Sequence, residues 1–326
     1  MSSKTSNFGF NQWGPEDKPK MDDFNSDNLI AERELNRIDA TTFAAIQLGN
    51  RIYPGVDLTV KFATEIVPYS SVWAWIKSRI QSAYFDGINI GDYIPWQSTT
   101  GYNVKSDVAG IDTYYNYGDT AVGHHIDFIS RDCWPETIQF NLANFNNGTP
   151  VSPSPWLASN IYAKLNSISS YVPNAATADP ALIAMDYSTT GVYDKLPAAL
   201  KSVISPKRLL LPQRYTAGSL LTDDNSWGWA DAGNLWIPSE IETYGCEHLG
   251  SKNGFSSSGF QQYEIFSTNM KRVKGVGDGG GRTTWWLLST YGGNSTHFSN
   301  VYIYGTGSSI AASNSGRYAP ICFRIA

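Results

Sequence analysis

The end of this chain constrains its fold most. TTWWLLS (283–289), the run at 299–304 and YAPICFRI (318–325) are rich in β-branched and aromatic residues and are separated by Gly/Ser-rich turns, the pattern of short antiparallel strands. Helical periodicity comes earlier. Ser70 or Ser71 can cap SSVWAWIKSRIQSAY, which places Val72, Trp73, Ile76, Ile80 and Ala83 on one face. Residues 159–171 and 196–204 read as two further helices. Ser239 with Glu242 three places on is a capping box. Helices early and strands late imply an α+β chain with antiparallel sheets.

Strands are also expected at 88–93, within 102–130, at 208–215 with a bulge at Pro212, and at 263–273, the last joined to TTWWLLS by the glycine hairpin GVGDGGG. Residues 218–236 read as a Trp/Asp/Gly loop. The charged fraction is only 16%, while Trp 11, Tyr 19 and Phe 14 make the chain aromatic, a composition suited to loop-rich recognition domains.

Residues 22–40 read as a short helix capped by Asp27, with Leu29, Leu35 and Ile38 as a thin apolar stripe suited to docking or self-association. Before it, Phe8, Phe10 and Trp13 stand in a polar segment that cannot fold alone. Gly49, Pro54, Gly55 and Pro68 interrupt 41–69, which reads as a connector with strand-like pieces. The expected organisation is an attachment and oligomerisation segment at 1–40, a connector at 41–69, and one large domain at 70–326.

Several function classes find no support. The net charge of −5 argues against nucleic acid, and the one basic stretch, Lys271, Arg272, Lys274 and Arg282, reads as a solvated hairpin. No apolar run is long enough to insert into a membrane, and no secretory signal opens the chain. Cys133, Cys246 and Cys322 suggest neither a disulfide framework nor zinc. Gly275, Gly277 and Gly280 match a dinucleotide motif formally, but a strand follows where a helix is required. His124 and His125, as strand neighbours, point to opposite faces. Asp127, Asp132, Glu136, Asp223, Asp224, Glu240 and Glu242 contain no spacing that selects a glycosidase pair. The expectation is a non-enzymatic protein with no cofactor and no metal.

Residues 289–318 stand apart, being mostly Ser, Thr, Asn, Gly and Tyr with Arg317 their single formal charge. Tyr supplies amphipathic contact area at low entropy cost, and Ser, Gly and Asn supply adaptable hydrogen bonds.

GINIGDYIPW (87–96), HHIDFISRDCW (124–134), PWLASNIYAKLN (155–166), LWIPSEIETYG (235–245), WWLLS (285–289) and GRYAPICFRI (316–325) together resemble, in order and spacing, a domain family of phage tail proteins and bacterial surface proteins. The resemblance implies a C-type-lectin-like fold related to that of formylglycine-generating enzymes. NFGFNQW and DDFNSDN are similar to the first residues of phage tail and baseplate proteins. Calcium-dependent sugar motifs are absent, and only Cys322 lies where formylglycine-generating enzymes place a cysteine pair, so neither activity carries over.

By the same resemblance, about 285–324 looks like the hypervariable region of a diversity-generating-retroelement protein. The implied ligand-binding residues are Tyr291, Asn294, Ser295, Thr296, His297, Tyr302, Tyr304, Ser313, Asn314 and Tyr318, with Trp229 from the Trp227–Trp236 loop. The implied role is a receptor-binding protein of a phage tail tip or baseplate, made in the host cytoplasm and carried on the virion. It would be trimeric, attached to other tail proteins through 1–40, and would meet a host surface glycan or protein. A structural baseplate component and a surface glycan depolymerase are the alternatives.

Overall fold

The computed structural model describes the backbone of residues 3–4, 10–12, 15–16, 18, 20–49, 54–173, 184–250 and 261–326, and side chains over the same ranges except 3–4 and 36–49. Phe8, Trp13 and the side chain of Ile38 lie outside the described residues. The chain divides into two compact units, residues 1–54 with 86–89, and residues 55–85 with 90–326.

In the smaller unit, β1 (Ser3–Lys4) pairs with β2 (Asn11–Gln12), and α1 spans Met21–Gly49. Asp22 and Asp23 lie in the first turn, where carboxylates favour a helix N-terminus. Asp27 is not the cap that the sequence suggests. It lies inside α1, and its Oδ1 accepts from both the backbone N and Nδ2 of Asn11 at 3.0 Å. Leu29 and Leu35 are exposed. Residues 41–49 continue the helix rather than beginning a connector.

In the larger unit, residues 55–69 form two short helices, α2 (Leu58–Lys61) and α3 (Ala63–Ile66), where strand-like pieces were expected. Ser71 caps α4 (Val72–Gln81) through the N–H of Ala74, and the helix buries Trp73, Trp75, Ile76, Arg79 and Ile80. Ala83, expected on that face, instead ends the helix in a left-handed conformation.

The strands β3 (Tyr93–Gln97), β4 (Asn103–Ile111) and β5 (Ile126–Ser130) follow. Next come α5 (Asn160–Leu165), α6 (Ala198–Lys201) and β6 (Ile204–Ser205). β7 (Arg208–Gln213) pairs with β8 (Ser226–Asp231), inside the stretch expected as loop. The capping box forms as expected and opens α7 (Glu240–Tyr244). A 3-10 turn (Glu264–Ser267) and α8 (Asn269–Arg272) occupy the strand expected over 263–273. β9 (Lys274–Gly275) pairs with β10 (Arg282–Thr283), and then come β11 (Trp285–Thr290), β12 (His297–Val301), β13 (Gly307–Ala311) and β14 (Cys322–Ile325).

The fold is thus mixed helix and antiparallel sheet. Its main sheet runs β3-β4-β5-β14-β6, so the latest strand occupies an interior place. Phe128 of β5 and Phe323 of β14 stack at 5.2 Å, and Trp73 of α4 meets both edge-on at 5.9 and 5.7 Å. Aromatic residues therefore join helix to sheet at the centre of the core. A second sheet, β11-β12-β13, carries the late loops.

The core also holds charge. Asp127 pairs with Arg324, and Lys207 with Glu242, all four buried. Lys274 is not in a solvated hairpin but buried, its Nζ donating to the carbonyls of Ser130 and Arg131 at 2.6 and 3.1 Å.

Candidate ligand-binding surface

Every residue of β11 is buried, which anchors the second sheet to the body of the unit. β12 pairs with β11 on one side and β13 on the other, with His297 opposite Ala311 and Val301 opposite Gly307. Two turns project from this sheet, one at each end of β12.

The first turn, between β11 and β12, is built by Asn294. Its Oδ1 accepts from Thr296 N at 2.7 Å, Thr296 Oγ1 at 3.1 Å and His297 N at 3.0 Å, the side-chain turn that Asn favours. Its Nδ2 lies 2.6 Å from Nδ1 of His297, and the His297 ring sits edge-on to Tyr291 at 6.1 Å.

The support beneath this turn reaches its backbone. Asn146 Nδ2 donates to the carbonyls of Asn294 and His297 at 3.2 and 2.5 Å, and Asn146 N donates to that of Ser295 at 2.8 Å. Arg214, fully buried, donates to the carbonyls of Asn294, Tyr291 and Leu221. Gly292 N and Gly293 N reach Leu249 O and Thr222 O at 2.8 and 2.9 Å. Ser313 and Asn314 lie at the same end, just beyond β13. The carbonyl of Ser313 accepts from Gln139 at 2.7 Å, and Asn314 Oδ1 accepts from Gly316 N at 3.0 Å.

Carboxylates lie behind this turn. Asp224 sits 3.7 Å from Arg214 and accepts from Thr290 Oγ1 at 3.3 Å, and burial pushes its carboxyl up to about 6. Burial, then the charges of Asp224 and Glu240, push Glu247 up to about 8. Burial draws the Arg214 guanidinium below its usual value.

The second turn holds Tyr302 and Tyr304, which are 42% and 59% exposed and meet edge-on at 5.8 Å. Gly305 closes the turn at φ +81°, where a Cβ would come within 2.4 Å of Asn269 Oδ1. Asn269 Nδ2 donates to Tyr304 O at 2.9 Å, and Tyr244 Oη donates to Gly305 O at 3.3 Å.

The expected residues therefore do not form one face. Tyr291, Asn294, Ser295, Thr296, His297, Ser313 and Asn314 gather at one end of β12. Tyr302 and Tyr304 lie at the other end, roughly 14 Å away at the usual rise of a strand. Tyr318 lies beside the start of β11, bridged to Trp285. Trp229 stands on β8, opposite Leu210 and against Gly118, rather than on the β11–β13 sheet, and Trp236 is fully buried. Asn146 and Arg214, which hold the first turn, carry no local signal of that role, because they lie 148 and 80 residues before Asn294.

The other weighed residues are mainly structural. Asp127 and Glu242 are ion-paired in the core. Glu240 accepts from the N–H groups of His248, Leu249 and Gly250, and Glu136 pairs with Lys195. Asp132 accepts from Gly275 N, within the β9–β10 hairpin. His124 meets Asp112 at 2.6 Å, while the buried His125 accepts from Tyr114 N and donates to Gly123 O. Among the described residues no group of three or more His, Cys, Asp or Glu is placed to hold a metal ion, and no helix is long and apolar enough to cross a membrane. Comparison with protein-family models, curated proteins and solved structures gives no match.

Proposed function

We propose that this chain is a non-enzymatic receptor-binding protein of a phage tail tip or baseplate, carried on the virion, with a C-type-lectin-like domain that attaches to a host surface glycan or protein. The observation that carries the reading is how the first turn is held. Asn146 and Arg214 grip carbonyls, and carbonyls are common to every residue type. Such a support keeps the loop in place while most of its side chains change, as a diversified recognition loop requires. Asn294, which builds the turn with its own side chain, is the exception. The interior place of β14, and the separate small sheet bearing the loops, favour the lectin-like reading. Residues 1–40 would tie the chain to other tail proteins as a homotrimer, and several copies would supply avidity.

The test is binding of the labelled full chain to a panel of whole bacterial cells, beside a Tyr291→Ala/His297→Ala variant and a Tyr302→Ala/Tyr304→Ala variant. Saturable binding to particular strains, lowered at least about tenfold by either folded variant, supports the reading. Binding that both folded variants retain points away from these turns, and binding to none of the cells favours a structural baseplate role.

A further inference from the structure

Lys207 and Glu242 are 35 residues apart in sequence and both sealed from solvent, at 0% side-chain exposure. Lys207 Nζ is in direct contact with Glu242 Oε1. Aromatic rings enclose the ammonium, with centroids at 4.4 Å for Tyr114 and 4.8 Å for both Trp236 and Tyr263. The remaining polar contacts are directed at the same two groups. Tyr114 Oη donates to Glu242 Oε1 at 2.7 Å, and the N–H of Ser239 donates to Oε2 at 2.9 Å. Tyr263 Oη lies 2.5 Å from Nζ and donates to Asp127 Oδ2 at 2.8 Å.

We infer that Lys207 and Glu242 are the two halves of a self-forming amide cross-link between the start of β7 and α7. An amine and a carboxyl held in contact in a dry, oriented site need no bimolecular encounter. The direct contact gives one ammonium proton a path to Oε1, and that transfer frees the Nζ lone pair. Nζ attacks Cδ, and the oxyanion that develops on Oε2 meets the Ser239 N–H, a donor already in place. Oε1, held by Tyr114, takes up the two protons that the ammonium gives up and departs as water. One ammonium and one carboxylate become one secondary amide and one water, with no oxidant, reductant or cofactor.

The product removes two charges from the core together. Asp127 keeps its own counter-ion in Arg324, so no charge is left unpaired. This inference is independent of the receptor-binding reading.

The deciding measurement is the intact mass of the full chain, unfolded before analysis. The expected mass is one water below that of the sequence, with a proteolytic map joining the peptides that contain Lys207 and Glu242. Lys207→Arg returns the chain to its full sequence mass, and Glu242→Gln releases ammonia instead of water. A wild-type chain at full sequence mass, with Lys207 open to trypsin after unfolding, overturns the inference. So does a lost water that maps to any other pair of residues.

Discussion

Asp127 and Arg324 face each other on adjacent strands and join through two parallel hydrogen bonds, Nε to Oδ1 at 2.7 Å and Nη2 to Oδ2 at 2.8 Å. Both are buried, so each depends on the other for its charge. Asp127→Ala leaves the guanidinium unpaired and is expected to cost about 3–5 kcal/mol, read from urea unfolding of the full chain. Burial pushes the Asp127 carboxyl up, but Arg324 outweighs it and holds the group well below the usual carboxylate range. The resulting stability is fully present above the unfolded value of about 3.9 and is lost only as pH falls below it. An unfolding midpoint for Asp127→Ala equal to that of the wild type at pH 7 would contradict this account.

Asp224 and Glu247 behave in the opposite sense. The unfolded chain gives up these protons near about pH 4, whereas the folded chain keeps them to about 6 at Asp224 and about 8 at Glu247. Over that window the folded state binds more protons, so their contribution to stability declines as pH rises. Melting temperature measured from pH 4 to pH 8 should show the decline. Glu247→Gln is expected to flatten the upper part and Asp224→Asn the lower part.

The first turn and the segment just beyond β13 should tolerate change unevenly. Ser295→Ala and Ser313→Ala leave the carbonyl contacts intact and are expected to shift stability by less than about 0.5 kcal/mol. Asn294→Ala removes the acceptor of three hydrogen bonds within the turn and is expected to cost about 1–3 kcal/mol. Chemical denaturation of the three variants side by side separates these outcomes, and equal effects would show that the turn is not held as described.

Gly55 stands at φ +74°, and a Cβ there would lie 1.8 Å from the carbonyl oxygen of Gly91. No backbone atom can yield that far without displacing the start of β3. Gly55→Ala is expected to destabilise by several kcal/mol, beyond the roughly 1 kcal/mol of an ordinary conformational penalty. A thermal melt reads the difference, and a loss below that ordinary penalty would mean that the segment moves freely.

Local signals carried well from sequence to structure. Ser239 and Glu242 announced α7 through a contact three residues long, and the apolar spacing of 72–80 announced α4. Where packing decides, the sequence was less informative. The run 263–273 has the side chains of a strand, yet Phe266 is buried in a 3-10 turn that stacks on Trp285 at 6.1 Å. GSSIA at 307–311 has Ile310 as its single strong strand former and becomes β13 because β12 offers it a partner edge. Composition set 289–318 apart as a candidate binding segment. It could not show that a strand divides the tyrosines into two groups, or that Arg214 and Asn146 reach in from far upstream.

The interior place of β14 also has a kinetic meaning. Its pairing of Arg324 with Asp127 joins residues 197 apart, so the main sheet cannot be filled until nearly all of that intervening chain exists and has been brought home. Loop closure over such a span must be met before its contacts repay it, which places this domain among slow, topology-limited folders. Until then β5 has an open edge, a template for mispairing with a neighbouring chain. Yield in a fast-expressing host should therefore respond to temperature and crowding more than to substitutions in the turns at the two ends of β12.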